Sequence, residues 1–250
     1  MKTMAGKAAL VTGAGSGIGR AVALAFSKEG AGVMVGDIDT ASGEETVELI
    51  REHGGRAHSL RCDVAQSEDV EALVEQTVDR FGSLDYACNI AGIHNPRRES
   101  LVDVDEKAWD EIIATNLKGV FLCMKSEVRP MLAQGHGVIV NMASVAGLLA
   151  EPGCYAYVAS KHGIVGLTKT AAYEYARQGI RVNAVCPAAV ETPGLLRSPE
   201  EFLRTLRETT PVGRIGKPAE IAATVLWLCS DLAGFVTGAA VVVDGGVTTV

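Results

Sequence analysis

The chain has 250 residues, room for one α/β domain with a sizeable core or for two small domains. Its formal charge is −7 with no basic cluster, which argues against nucleic-acid binding, and no apolar run reaches the ~18 residues of a membrane span. Hydrophobic residues make up 48% but aromatics only 5%, so Ala, Val, Leu and Gly must fill the core, which suits a buried parallel sheet covered by helices. The six cysteines (62, 88, 123, 154, 186 and 229) show no C-x-x-C spacing and no nearby ligand-type partner in sequence. They read as reduced core residues, Cys154 included, and no metal site is expected. The opening MKTMAGKAALVTG passes into a strand-like run without a cleavable signal pattern, so the expected location is cytoplasmic.

The first element is a short apolar strand, Lys7 to Val11, ended by Thr12-Gly13. TGAGSGIG follows, then a helix with Val22, Ala25 and Phe26 at helical spacing and Gly30 at its end. Strand, glycine turn and helix in this order let a backbone approach a bulky anion, with the helix N-terminus offering free N–H groups to a pyrophosphate. The spacing is T-G-x-x-x-G-x-G; the strict G-x-G-x-x-G is absent. A second strand, Val33 to Val35, leads to Asp37, 24 residues after Gly13. That is near the ~20-residue interval of an acid that binds the adenosine ribose hydroxyls. Ile38 follows it, and no Lys or Arg lies between Ala14 and Gly19. A 2′-phosphate would meet a carboxylate with no cation beside it, so the residues favour NAD over NADP.

Strand and helix then alternate: a charged helix over about 41–53, a strand over about 56–61 leading to Cys62-Asp63-Val64, and a helix capped by Ser67 with Glu68 and Asp69 at its positive end. A fourth strand, Leu84 to Asn89, closes with Asn89-Ile90-Ala91-Gly92; a polar loop, 94–100, follows. Next come a long helix over about 105–133 containing Asn116, a strand from Val138 to Met142 ending at Ser144, a helix to about Arg177, and a strand from Ile180 to Cys186. The segment 188–216 breaks the rhythm. Ser198-Pro199-Glu200-Glu201 has the pattern of a capping box, so a short helix should start there with Phe202, Leu203 and Leu206 on one face. It reads either as a lid over an apolar pocket or as a helix packed on the core. Pro218 begins a last helix, and Ala240 to Val243 a last strand turned by Asp244-Gly245-Gly246. The pattern predicts one domain over 1–250, a doubly wound Rossmann fold with a mostly parallel seven-stranded sheet and helices on both faces. Ligands in such sheets bind at the C-terminal ends of the strands, where Gly13, Asp37, Asp63, Asn89, Ser144 and Pro187 all fall.

The chemistry is expected in Ser144 to Lys161, SVAGLLAEPGCYAYVASK. Tyr157 and Lys161 are four apart and share a helix face. A phenol titrates near ~10, and a fixed ammonium beside it would lower that, allowing proton transfer at an oxygen near neutrality. Tyr155 is about 240° round the helix from Lys161 and faces elsewhere.

These residues together resemble the short-chain dehydrogenase/reductase family, in its compact single-domain branch, over nearly the whole chain. The match includes Thr12 to Gly19, Asn89 to Gly92, Asn116, Ser144, Tyr157-Val158-Ala159-Ser160-Lys161, Pro187 with Thr192, and Asp244-Gly245-Gly246. The resemblance implies a nicotinamide-dependent oxidoreductase. Tyr157 would be the general acid/base, Lys161 would lower its pKa and bind the nicotinamide ribose, Ser144 would hold the substrate oxygen, and Asn116 would position a proton-relay water. The cofactor would lie against Gly13, Ser16, Gly17, Ile18 and Gly19, against Asp37 and Ile38, against Asp63 and Val64 at the adenine, and against Asn89, Ala91 and Gly92. Pro187, Val190 and Thr192 would neighbour its carboxamide. The chain departs from the family pattern at Ile90, usually Asn, and at Ala188, usually Gly. The expected reaction is interconversion of a secondary alcohol, cyclic alcohols included, and its ketone with NAD. The alternatives are an NADPH-dependent 3-oxoacyl reductase of fatty-acid synthesis and an NAD-binding scaffold without turnover. The substrate pocket is expected from His94, Arg97, Val145, Leu148, Tyr155, Leu195, Leu196 and Phe202, and the resemblance implies a homotetramer.

Overall fold

The computed structural model describes residues 3–94 and 98–249. Arg97, one of the expected pocket residues, lies outside them. The seven strands are β1 (Ala8–Thr12), β2 (Gly32–Asp37), β3 (Arg56–Arg61), β4 (Tyr86–Asn89), β5 (Gly137–Met142), β6 (Ile180–Pro187) and β7 (Ala240–Val243). They form one sheet in the order β3-β2-β1-β4-β5-β6-β7, every pair parallel. The helices are α1 (Gly17–Lys28), α2 (Thr40–Glu52), α3 (Ser67–Phe81), α4 (Glu106–Ile112), α5 (Gly119–Gln134), α6 (Tyr155–Tyr175), α7 (Glu200–Thr209) and α8 (Pro218–Cys229).

Side-chain alternation along the strands divides the core in two. Ala9, Val11, Val33 and Val35 face one way and pack with Val22, Phe26, Val47, Ile50, Ile221 and Val225 of α1, α2 and α8. Leu10, Met34, Ile139 and Val182 face the other way and pack with Leu73, Met131 and Ile164 of α3, α5 and α6. The strands are buried on both faces, which is why β1, β2 and β5 read as apolar runs without polar alternation. Chain order reverses direction between β1 and β4, and a crevice opens there at the C-terminal ends of the strands.

Four local expectations need correction. β4 starts at Tyr86, because both backbone groups of Leu84 bond the Gln134 side chain instead of a neighbouring strand. Ser67 is the first residue of α3, with Gln66 in the cap position; the carboxylate near this end, Asp69, accepts from the Asp63 N–H at 2.9 Å. Ser198 does not cap α7 either, since Pro199 occupies the cap position and no side chain bonds the helix end. The long helix over 105–133 is in fact α4 and α5 joined by a π-helical turn, Ile113–Lys118, with Asn116 inside it.

Candidate active site

The glycine turn connects β1 to α1 at the crevice. Gly13 has φ +64°, and a Cβ there would lie 2.7 Å from the Ala91 Cα, so the turn presses directly on the segment after β4. A Cβ on Gly19 would lie 2.0 Å from the Gly13 carbonyl oxygen, closer than any side chain can come. Thr12, which the sequence reading passed over as part of the motif, joins the two strand ends: its hydroxyl accepts from the N–H groups of Ile90 and Ala91 at 3.1 and 3.3 Å. Ser16 stands at the N-terminal cap of α1 with extended backbone and makes no side-chain cap bond.

Asp37 sits at the end of β2. One of its oxygens accepts from the Gly15 N–H at 2.7 Å and the other from the Asp39 N–H at 3.0 Å. Ile38 is exposed beside it. Arg20, the nearest basic side chain in sequence, is held by Thr46, Glu45 and the Gly15 carbonyl. At the end of β3, Asp63 accepts from the Ala65 N–H, and Val64 packs against Gly119. The glycine backbone of the turn at the N-terminus of α1 suits a phosphate-sized anion, with Thr192 beside Gly17, and the Asp37 carboxylate at its edge suits a ribose.

The side chains of Asn89 and Asn116 are buried and bonded within the protein. Asn89 is buried and donates to Glu127 at 3.1 Å and to Asn141 at 3.0 Å. Asn116 exchanges two hydrogen bonds with the backbone of Ile93, both 2.8 Å, much as a strand neighbour would. A Cβ on Gly92 would sit 3.2 Å from the Asn116 Oδ1 and 3.8 Å from the Lys161 Nζ, so these three meet at one point.

Ser144, Tyr157 and Lys161 converge at the ends of β5 and β6. The Ser144 hydroxyl accepts from the Ala146 N–H at 3.2 Å and lies 3.4 Å from the Pro187 carbonyl. Lys161 is 5% exposed, donates to the Met142 carbonyl at 2.8 Å and stands 5.5 Å from the centre of the Tyr157 ring. The shared helix face expected of this pair is therefore present. The expected electrostatics are not. Burial pushes the Tyr157 phenol above its usual value, partly offset by a hydrogen bond with Ser144. Burial lowers Lys161 to about 8. An amine with that pKa still carries its proton at neutral pH, but it is turned to the Met142 carbonyl, and burial of the phenol outweighs its pull.

The segment 188–216 touches the glycine turn. A Cβ on Gly17 would meet the Thr192 side chain at 3.0 Å, and the Thr192 N–H donates to the Val190 carbonyl at 2.6 Å. Val190 is buried and bridges to Gly216. On α7 only Leu203 is buried, while Phe202, expected on the same face, is 42% exposed. Leu148, Leu196 and Tyr155 are exposed as well, and Ile90 packs into the core beneath α1. His94 was expected only as a pocket residue; it stands edge-on to the Tyr157 ring, centroids 4.6 Å apart, and burial lowers its pKa, which favours the neutral imidazole.

The family model described as "Enoyl-(Acyl carrier protein) reductase" matches residues 13–248. The chain belongs to the short-chain dehydrogenase/reductase family. Among its relatives, the chain is 44% identical to cyclohexanol dehydrogenase of Acinetobacter sp., over 97% of this chain and 95% of the relative. It is also 44% identical to 2,5-dichloro-2,5-cyclohexadiene-1,4-diol dehydrogenase of Sphingobium indicum, over the whole of both. Of solved structures, levodione reductase superposes with a TM-score of 0.91 at 35% identity, covering 97% of this chain and 98% of that one. Membership makes the chain an oxidoreductase that uses a nicotinamide cofactor.

Proposed function

We propose that this oxidoreductase interconverts a cyclic secondary alcohol and its ketone with NAD, and that Ser144, Tyr157, Lys161 and Asn116 carry the proton chemistry. The convergence of Ser144 with Tyr157 at the mouth of the crevice, and of Lys161 behind it, supports this most directly. When bound, the nicotinamide exchanges a hydride with the substrate carbon. Gly13 to Gly19 would hold the pyrophosphate, Asp37 the adenosine ribose, Asp63 and Val64 the adenine, and Asn89 to Gly92 with Pro187, Val190 and Thr192 the nicotinamide half. Asn89 would do so through its backbone, its side chain being bonded to Glu127 and Asn141.

In ketone reduction the Tyr157 hydroxyl gives its proton to the forming alkoxide while Ser144 donates to the same oxygen. The raised phenol pKa suits that direction, because the proton is in place at neutral pH. In alcohol oxidation the phenol must lose its proton first, so oxidation gains from alkaline pH. Lys161 orients the nicotinamide ribose and passes protons inward from solvent, its own pKa of about 8 being matched to that exchange. With the Asn116 side chain bonded to Ile93, the backbone of the π turn is what it offers a relay water.

Asp37 favours NAD, as among the described residues the nearby Arg20 is engaged with Glu45 and the Gly15 carbonyl rather than free beside it. The cyclic-alcohol reading draws on the names of the two dehydrogenases above and on the exposed apolar side chains Leu148, Leu196 and Phe202. A homotetramer would cover Tyr173 on α6 and Leu232 and Phe235 ahead of β7, all almost fully exposed; sedimentation velocity tests this. The central experiment is a screen of cyclic and linear alcohols and ketones with NAD(H) and NADP(H), read at the nicotinamide absorbance. Binding of NAD without turnover of any of them would favour the scaffold instead.

A further inference from the structure

A second cluster lies at the mouth of the crevice, and the proposed reaction does not use it. His94 follows β4, while Glu151 and Cys154 precede α6. An imidazole nitrogen, a carboxylate oxygen and the thiol sulfur of these three lie within 4.8 Å of one another. Glu151 and Cys154 stand only three apart in the sequence, contrary to the expectation of no nearby ligand-type partner, and the fold brings His94 to them. The segments that carry them are already fastened together. The Glu99 N–H donates to the Gly153 carbonyl at 3.2 Å, and Arg98 bonds the Pro152 carbonyl at 3.2 Å and the Glu151 carboxylate at 2.8 Å. Cys154 is buried, Glu151 half-buried and His94 exposed, so the cluster opens on one side.

One nitrogen, one oxygen and one sulfur donor with an open fourth side match the tetrahedral preference of Zn²⁺; Mg²⁺ and Ca²⁺ would require oxygen donors only. We propose that His94, Glu151 and Cys154 form a Zn²⁺ site at the rim of the active-site crevice, and that its occupation slows turnover. Metal–ligand bonds of ~2.0–2.3 Å require the three donors to draw together by roughly 1 Å. Binding releases the Cys154 proton to solvent and displaces Arg98 from Glu151, with no change of oxidation state. The metal then ties His94 to the start of α6 across the Tyr157 ring and narrows the approach of an alcohol to the Tyr157 hydroxyl. The site itself is independent of the proposed reaction; only its effect on turnover rests on that reading.

The test is titration of the metal-free full chain with Co²⁺, followed by displacement with Zn²⁺. We expect a thiolate-to-cobalt charge-transfer band that saturates at one equivalent, is lost on adding Zn²⁺ and is absent in Cys154→Ser. Glu151→Gln and His94→Ala should each weaken Zn²⁺ binding by about 10-fold or more. Zn²⁺ should inhibit the unmodified chain, EDTA should restore it, and Cys154→Ser should turn over yet resist Zn²⁺. Absence of the band, or its persistence in a Cys154→Ser protein with unchanged circular dichroism, overturns the site. Tight Zn²⁺ binding with undiminished turnover overturns the inhibitory role. Should no alcohol be a substrate, the cobalt spectrum still decides the site.

Discussion

At the N-terminal end of the sheet, Asp85 fastens three strands at once. Its carboxylate accepts from the Ala8 N–H at the start of β1 at 2.9 Å, from Lys7 at 2.8 Å and from Ser83 at 2.7 Å, and it meets His136 before β5 at 3.0 Å. Its backbone joins Ala8 and Val138. At the C-terminal end the other carboxylate, Asp37, is bonded only to two backbone N–H groups and stays partly open to solvent. The strand ends there are spaced by glycines, and the reactive side chains approach each other without satisfying each other. A polar group whose every bond is filled by its own chain adds stability and has nothing left to offer a ligand; one left partly open has the reverse character. Substitutions at the two ends should therefore separate activity from stability.

The largest effect should come from Tyr157→Phe, which keeps the ring and removes the acid/base oxygen. We expect catalysis to fall by ~10²–10⁴-fold, the range for such groups, with NAD affinity and melting temperature little changed. Tyr155→Phe should cost far less, because that phenol is off the Lys161 face. Steady-state kinetics of both variants at saturating cofactor and substrate check this; an inert Tyr155→Phe beside a normal Tyr157→Phe would overturn the assignment. At the same end, Asp37 should give NAD an advantage over NADP of about ten-fold or more in kcat/KM, through repulsion and an unmatched phosphate. Asp37→Ala should narrow that advantage mainly by weakening NAD, and equal use of both cofactors by the unmodified chain would refute the role.

The succession of strands and helices along the chain, the double winding and the place of the crevice were legible because buried parallel strands announce themselves as apolar runs and the glycine turn as a spacing. Ser144, Tyr157 and Lys161 were legible as a constellation, but their electrostatics were not. How far burial outweighs a neighbouring charge depends on how deep Lys161 lies and on its bond to Met142, and neither is a property of a four-residue spacing. The π turn around Asn116 escaped for a similar reason: its residues favour helix of any kind, and the reciprocal pair with Ile93 exists only once the two segments meet. The Asp85 cluster gave no signal either, being assembled from Lys7, Ser83, Asp85 and His136 across three strand starts.

That cluster supplies the next effect in size, on stability alone. Burial would raise the Asp85 carboxyl, but hydrogen bonds from Lys7, Ser83, the Ala8 N–H and His136 outweigh it and hold the pKa at about 2, below its ordinary 3.8. A depressed folded-state pKa means stability that is present above about 3.8 and lost as pH falls towards 2. The shift corresponds to about 2 kcal/mol. Asp85→Asn should remove about that much in urea unfolding at neutral pH and flatten the acid limb, while kcat and KM stay unchanged. A fall in kcat without a fall in stability would break the division between the two ends.

The last effect, on the pH dependence of stability, concerns Glu127 of α5, which lies buried against Asn89 at the end of β4. Burial raises its carboxyl to about 8, only partly opposed by the hydrogen bond from Asn89 at 3.1 Å. Neither its second oxygen nor the Asn89 carbonyl oxygen has a hydrogen-bond partner among the described residues. Glu127 is therefore protonated at neutral pH, and the sign of its linkage is opposite to that of Asp85. Its folded-state pKa exceeds the ordinary 4.5, so its contribution is fully present below about 4.5 and is lost as pH rises to about 8. Glu127→Gln keeps an acceptor for Asn89 and cannot ionise. The variant should match the unmodified chain at about pH 5 and exceed it at about pH 9 in urea midpoint, without changing turnover at neutral pH. A variant less stable by the same amount at both pH values would mean that Glu127 is ionised in the fold, held by Asn89 more strongly than burial opposes it.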